Sequence, residues 1–399
     1  MLLVSCVIAV FLLHPNDHAA NIATYVLALN FVLTLIISAK IKPQIVPFRL
    51  PHYSLFLALY VAISTLWSDA ADLEKFLREL ANAVLVLGFY FSVVNSTTST
   101  RPRQTIHTFI VAAGLAALSM IISHIQDHDV FYRMSGFGSL ENPLVAANCF
   151  GIALCFLVLD RTHWPYKGHY VAALLLITAI LMLQTKSTII ALTVAAVTYW
   201  CTHSERSRLA KTLVPTSFIL CALGALGATY LLAPQHFTIE PTGLNLTSFR
   251  ITIWQAYLND LWSSGDILFG QGLLANTYIA NPYKEAFINY PALYFFEHPH
   301  SLLLSTVYYS GIVGGILLLV HYILQIASSL TPGALFRRQG MIALLAYCCV
   351  CLLLDGNKLV DKINFVWILF WLPAALLSAK NLKPELNNSG QREGAFPAR

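Results

Sequence analysis

Apolar residues run through this chain in long blocks separated by short polar punctuation. Twelve such blocks stand out, at 1–13, 20–39, 51–67, 76–95, 105–124, 143–160, 168–184, 187–202, 212–232, 302–326, 339–354 and 363–379. Runs of about 20 apolar residues have the length of a bilayer-crossing helix. Helices are the expected spanning element, because hydrocarbon offers no partner to an unpaired backbone amide. The pattern predicts an all-α polytopic membrane protein with about twelve transmembrane helices. The first block is short, and it lacks the basic start and small-residue cleavage site of a signal peptide, so it reads as an uncleaved span.

Between the blocks most loops are under a dozen residues, with two exceptions. Residues 125–142 are rich in Gly, Ser and Asn and read as an ordered, turn-rich loop. Residues 233–300 form a much longer extramembrane segment that is not low in complexity. Within it, "SFRITIWQAYLNDLW" sets Phe249, Ile253, Tyr257 and Leu261 at helical spacing, with Trp254, Leu258 and Trp262 on a second face. Aromatics at this density suit a membrane–water interface. One or two helices lying on the surface as a lid over a cavity are expected. Residues 1–379 then form one integral membrane domain, and 380–399 a polar, disordered tail.

Composition agrees. Charged residues are 11% of the chain and hydrophobic ones 57%, whereas a soluble domain carries about a quarter charged residues. With both termini inside, 16 of the 24 Lys and Arg fall in cytoplasmic segments, which fixes the orientation by the positive-inside rule. The net charge of +5 thus records topology and points to membrane lipids, with no nucleic-acid partner implied. All eight cysteines sit in or at the ends of predicted helices, without disulfide or zinc spacing.

The stretch "EHPHSLLLSTVYYSGIVGG" (297–315) places two histidines around a proline at the brink of an apolar helix. Pro299 opposes helix before it and Ser301 is a good N-cap, so the tenth span should begin at about Leu302. His300 then sits wet at the helix mouth. A metal site would need further carboxylate or cysteine ligands at suitable spacing, and none accompanies the pair; no metal and no cofactor are expected.

That stretch resembles the His-[Asn/Ser/Gln]-x9-Gly-x-x-Gly-[Gly/Thr/Tyr] pattern of bacterial O-antigen ligases and the related O-antigen polymerases, through His300, Ser301, Gly311, Gly314 and Gly315. The glycines also suit close helix packing. Three further stretches are similar to that family. "FRITIWQAYLNDLWSSGDILFGQG" resembles its Arg-x3-Trp helix and Gly-x-Gly turn, through Arg250, Trp254, Gly270 and Gly272. "LQTKSTIIAL" resembles its Ser-x-Arg helix entry, with Lys186 where arginine is usual, and "STLWSDAADLEKFLREL" its Trp-Ser-acidic turn.

The resemblance implies a GT-C-like glycosyltransferase architecture with one long periplasmic loop, in the inner membrane of a Gram-negative bacterium. It implies transfer of O-antigen polysaccharide from undecaprenyl pyrophosphate to lipid A–core oligosaccharide, metal-independent and inverting. His300 would act as general base near neutral pKa, and outer-side cations would hold the pyrophosphate. Arg250 and Lys186 lead that group, followed by Arg133 and Arg78. Lysine at 186 offers a point charge in place of a planar fork. Arg78 could instead pair with Glu74 or Glu79. Asp355 could orient His300 or solvate a loop with Lys358 and Lys362, while His298 and Trp254 are candidate orienting or acceptor contacts. An O-antigen polymerase, or another lipid-linked-glycan oligosaccharyltransferase, shares the same donor logic. A twelve-span transporter would predict related halves and helices broken near the midplane, and neither is visible in the sequence.

Overall fold

The computed structural model describes residues 2–14, 17–41, 52–69, 71–98, 103–127, 132–159, 166–202, 250–275, 279–280, 295–296, 298–330 and 338–378. Among the described residues eight helices precede the long loop: α1 (Leu2–Leu13), α2 (Asp17–Ile41), α3 (His52–Ile63), α4 (Leu73–Thr98), α5 (Arg103–Asp127), α6 (Pro143–Leu159), α7 (Tyr166–Leu183) and α8 (Lys186–Cys201). Then come α9 (Arg250–Ser264), α10 (Leu302–Leu330), α11 (Arg338–Asp355) and α12 (365–378), the last with a π-helical stretch at Trp367–Trp371. Two-residue strands β1 (Ile279–Ala280) and β2 (Phe295–Phe296) pair antiparallel; the described residues are otherwise helical or irregular. Helices occupy eleven of the twelve apolar blocks; the block at 212–232, the rest of the 233–300 loop and the 380–399 tail lie outside the described residues.

Three described helical segments, Leu73–Val94, Gln104–Gln126 and Leu302–Ser329, are long and apolar enough to cross a membrane by themselves, and seven more are shorter and apolar. Local chemistry sets several starts. Asp72 accepts the Lys75 amide at 2.7 Å and opens α4. Asn142 accepts the Leu144 amide at 2.9 Å with Pro143 as first helical residue, opening α6. Ser301 takes the Leu304 amide at 3.4 Å and its carbonyl the Ser305 amide at 2.8 Å, so α10 starts at the expected residue. In the bundle α8 lies along α11, α6 along α7 and α1 along α5, while α10 packs between α3 and α11.

A different result concerns α10. It is broken: Ser310 and Gly311 leave helical geometry, with Gly311 at φ +68° and ψ −173°. An intact helix would bond the Ile312 amide to the Tyr308 carbonyl and Val313 to Tyr309. Instead those amides donate to Ile267 and Leu268 at 3.0 and 3.3 Å, and the two carbonyls accept from Gln271 and Gly272 at 2.9 and 2.8 Å. Segment 267–272 is thus threaded into the break as a second backbone. Its glycines allow this: Gly270 and Gly272 have φ near +75° and +81°, and a Cβ at Gly311 would collide with the Leu268 carbonyl. The Trp-Ser turn completes the joint. Trp67 Nε1 donates to Phe269 O at 2.9 Å, Ser68 Oγ to Gln271 O at 3.2 Å, and Tyr60 OH to Ser310 O at 3.1 Å. Helix packing alone, expected of these glycines, therefore understates Gly311, and the unbroken helix expected from the sequence is corrected.

The exchange predicts a specific sensitivity. Gly311→Ala combines a left-handed backbone with a steric clash and should cost at least about 2 kcal/mol. Trp67→Phe loses one hydrogen bond and should cost about 1 kcal/mol. Thermal unfolding in detergent checks both; equal melting of wild type and Gly311→Ala would contradict the threaded joint.

Candidate active site

The Arg-x3-Trp helix supplies two anchors from one face. Arg250, the first residue of α9, reaches the C-terminal end of α11, where Nε donates to Leu354 O at 2.5 Å and Nη2 pairs with Asp355 Oδ1. A cation at a helix C-terminus is favourable through the macrodipole as well. One turn on, Trp254 Nε1 donates to Pro299 O at 3.0 Å and fixes the backbone between the two histidines. Below them Ile253, Tyr257 and Leu261 are buried, while Leu258 and Trp262 are exposed, the latter at 76%. This is the division between two faces that the sequence predicts, although Phe249 lies outside the described residues.

His300 has φ +51°, a left-handed conformation uncommon in a residue with a side chain. The turn is imposed by its neighbours: Pro299 is tied to Trp254, and Ser301 begins the helix. Its ring lies 4.2 Å from that of His298, centroid to centroid. Burial, the neighbouring His298 and the Arg250 charge together push His300 down to about 3. The imidazole is therefore neutral across the physiological range, a correction to the near-neutral value expected of it.

Asp355 neither solvates the Lys358–Lys362 loop nor holds His300; it is committed to Arg250. Its side chain is 3% exposed, and Oδ2 has no hydrogen-bond partner among the described residues. Gly356 follows, packed against the Leu302 backbone so closely that a Cβ there would clash, which brings the end of α11 against the start of α10. Arg133 arrives from the turn-rich loop. Its Nε donates to Leu183 O at 3.1 Å, and the Met134 amide to Met182 O at 3.0 Å, together closing the C-terminal end of α7. Desolvation lowers its pKa and the Asp355 charge opposes that, which marks the two as electrostatic neighbours. Gln184, at φ +51°, turns the chain from there into α8, so half-buried Lys186 begins α8 three residues beyond the carbonyl that Arg133 holds. Distant blocks of sequence thus converge on one end of the bundle: Arg133, Lys186, Arg250 with Trp254, His298 with His300, and Asp355.

Arg78 is not brought into that group. Its side chain is 60% exposed, with Nε 3.4 Å from Glu79 Oε1. Glu79 is buried and also accepts Asn82 Nδ2 at 2.9 Å. A further polar group, in which Asp361 and Tyr309 were not singled out from the sequence, links α4 to α10 through the loop after α11. Asp361 interacts electrostatically with Glu79, Lys358 and Lys362, and Lys358 Nζ stands 5.2 Å from the centre of the Tyr309 ring. Among the described residues no three His, Cys, Asp or Glu side chains are grouped to hold a metal ion.

Because the folded state holds His300 neutral against an ordinary value of 6.5, the unfolded chain binds the proton first as pH falls. The contribution to stability is full above about pH 6.5 and is lost progressively toward pH 3. His300→Gln should flatten this acid-side loss when melting in detergent is followed from pH 7 to 4; identical slopes would contradict the assigned shift. Arg250→Ala, which leaves Asp355 buried without its cation, should destabilise by about 3–5 kcal/mol, read from the same melts.

Two similarities to known proteins bear on the function. The family model described as O-antigen ligase matches residues 171–319, from within α7 through the broken half of α10. An O-antigen ligase of Pseudomonas aeruginosa is 24% identical over 343 residues, covering 82% of this chain and 77% of that protein. On these two matches the chain is similar to O-antigen ligases, and its long apolar helices suit a membrane protein.

Proposed function

We propose that this protein transfers O-antigen polysaccharide from undecaprenyl pyrophosphate onto lipid A–core oligosaccharide at the periplasmic face of the inner membrane. Residues 1–379 would act as one twelve-span, GT-C-like domain. The observation that carries the reading is the juxtaposition of a neutral imidazole with a guanidinium anchored on a buried carboxylate.

Each part has a task. The described contacts of Arg250 use Nε and one Nη2 hydrogen. Three of the five guanidinium N–H donors remain for a phosphate. Lys186 and Arg133 add charge from the α7–α8 turn. Together they would neutralise the diphosphate, which is a good leaving group once its charge is matched. The acceptor hydroxyl attacks the anomeric carbon as the bond to the pyrophosphate oxygen breaks, inverting the configuration there. His300 takes the hydroxyl proton and later yields it to solvent. A pKa near 3 makes an imidazole a weak base. An arriving diphosphate offsets the Arg250 charge and adds negative charge of its own, so it raises His300 toward the range where proton transfer is effective. The base would thus be switched on by donor binding. Membrane anchoring of both substrates raises their effective concentration.

The test uses purified full-length protein with lipid-linked O-antigen and lipid A–core. Transfer should fall about 10²–10⁴-fold in His300→Ala and comparably in Arg250→Ala, while Lys186→Arg stays active and a chelator leaves the wild type unaffected. Undiminished transfer by His300→Ala would remove the base from the mechanism. Acceptance of a second lipid-linked repeat in place of lipid A–core would make the enzyme a polymerase.

A further inference from the structure

The polar group that links α4 to α10 is not used by the mechanism above. Tyr309 is 2% exposed, yet its hydroxyl has no hydrogen-bond partner among the described residues. A buried hydroxyl left unpaired destabilises the fold, so its persistence calls for a reason. It is aimed among charges. Asp361 lies close enough to interact with it, and Lys358 stands over its ring. Glu79 faces Asp361 from α4, itself buried and held by Asn82. Burial raises the Asp361 carboxyl above its ordinary range and Glu79 adds to this, although Lys358 and Lys362 oppose it. The support is rigid: Trp367 Nε1 donates to Asp361 O at 3.2 Å and Trp371 Nε1 to Leu359 O at 3.0 Å, so two buried indoles pin this loop.

We propose that Tyr309, Asp361 and Glu79 form a carbohydrate subsite that hydrogen-bonds ring hydroxyls of the acceptor glycan. Carboxylates accept from sugar hydroxyls, the tyrosine hydroxyl and Lys358 donate, and the ring offers an apolar wall. Tyr309 is the eighth residue of α10, about 12 Å along the axis from the histidine turn, a distance a short oligosaccharide spans. A lipid-anchored acceptor would present the sugars nearer its anchor at this deeper position while its terminal hydroxyl reaches His300. The diphosphate is assigned to Arg250 at the end of α11, leaving the α4 side to the second substrate. The inference rests on the ligase reading for the identity of the acceptor.

Full-length protein is assayed with saturating lipid-linked O-antigen and titrated lipid A–core, and binding of lipid A–core alone is measured by thermophoresis. Tyr309→Phe and Asp361→Asn should each raise the acceptor KM and Kd about tenfold, leaving donor KM and kcat at saturating acceptor within about twofold. Tyr309→Phe should melt at or above the wild-type temperature, because it removes only an unpaired hydroxyl. Unchanged acceptor KM in active variants would overturn the subsite. So would a lower melting temperature of Tyr309→Phe with donor and acceptor KM shifted together, which marks a structural role. If the wild type transfers nothing, the ligase reading fails and the binding arm decides alone: acceptor bound by wild type and weakened in Tyr309→Phe supports the subsite, and no binding overturns it.

Discussion

A helix inside an apolar bundle can be interrupted where other groups take over its hydrogen bonds, and in α10 a second backbone does so. Everything around the site depends on that exchange in α10. Two amide–carbonyl pairs that would have closed on each other are opened, and segment 267–272 meets both halves. The loop carbonyls left over are taken by Trp67, Ser68 and the broken helix itself. The result is a rigid joint between α10, the loop after α9 and the turn before α4. Because α9 is moored through this joint, Arg250 and Trp254 reach the end of α11 and the histidine turn from a fixed platform.

The same joint explains why His300 can hold an unfavourable backbone conformation. Its φ of +51° is fixed from both sides, by the Trp254 bond to Pro299 and by the Ser301 cap. Strain of this kind persists where surrounding contacts over-determine it. The electrostatics carry the same sense of a resting state. A half-buried, neutral imidazole beside a guanidinium is a poor base, and Asp355, paired with Arg250 through Oδ1, makes no hydrogen bond to the ring.

Much of this was legible in the chain. Apolar blocks located eleven of the twelve described helices, because burial of side chains along a span leaves a run that no soluble element needs. Proline and serine around His300 located the start of α10, since both act through local geometry. The two faces of α9 followed from helical spacing alone. The pairing of Arg250 with Asp355 was not legible: residues 105 positions apart share no local signal, and carboxylates at helix ends look alike in sequence. Arg78 illustrates the converse, its nearest carboxylate being its own chain neighbour.

The order of polar and apolar residues determined which segments are helical and where several of them begin, because hydrogen bonding and capping act within a few residues. It also placed a histidine beside a helix mouth. Only the tertiary structure decided that Gly311 breaks a helix, that a distant Gly-x-Gly loop fills the gap, and that the histidine is neutral. Each depends on what a remote backbone or charge brings within a few ångströms, and sequence spacing carries no such distance.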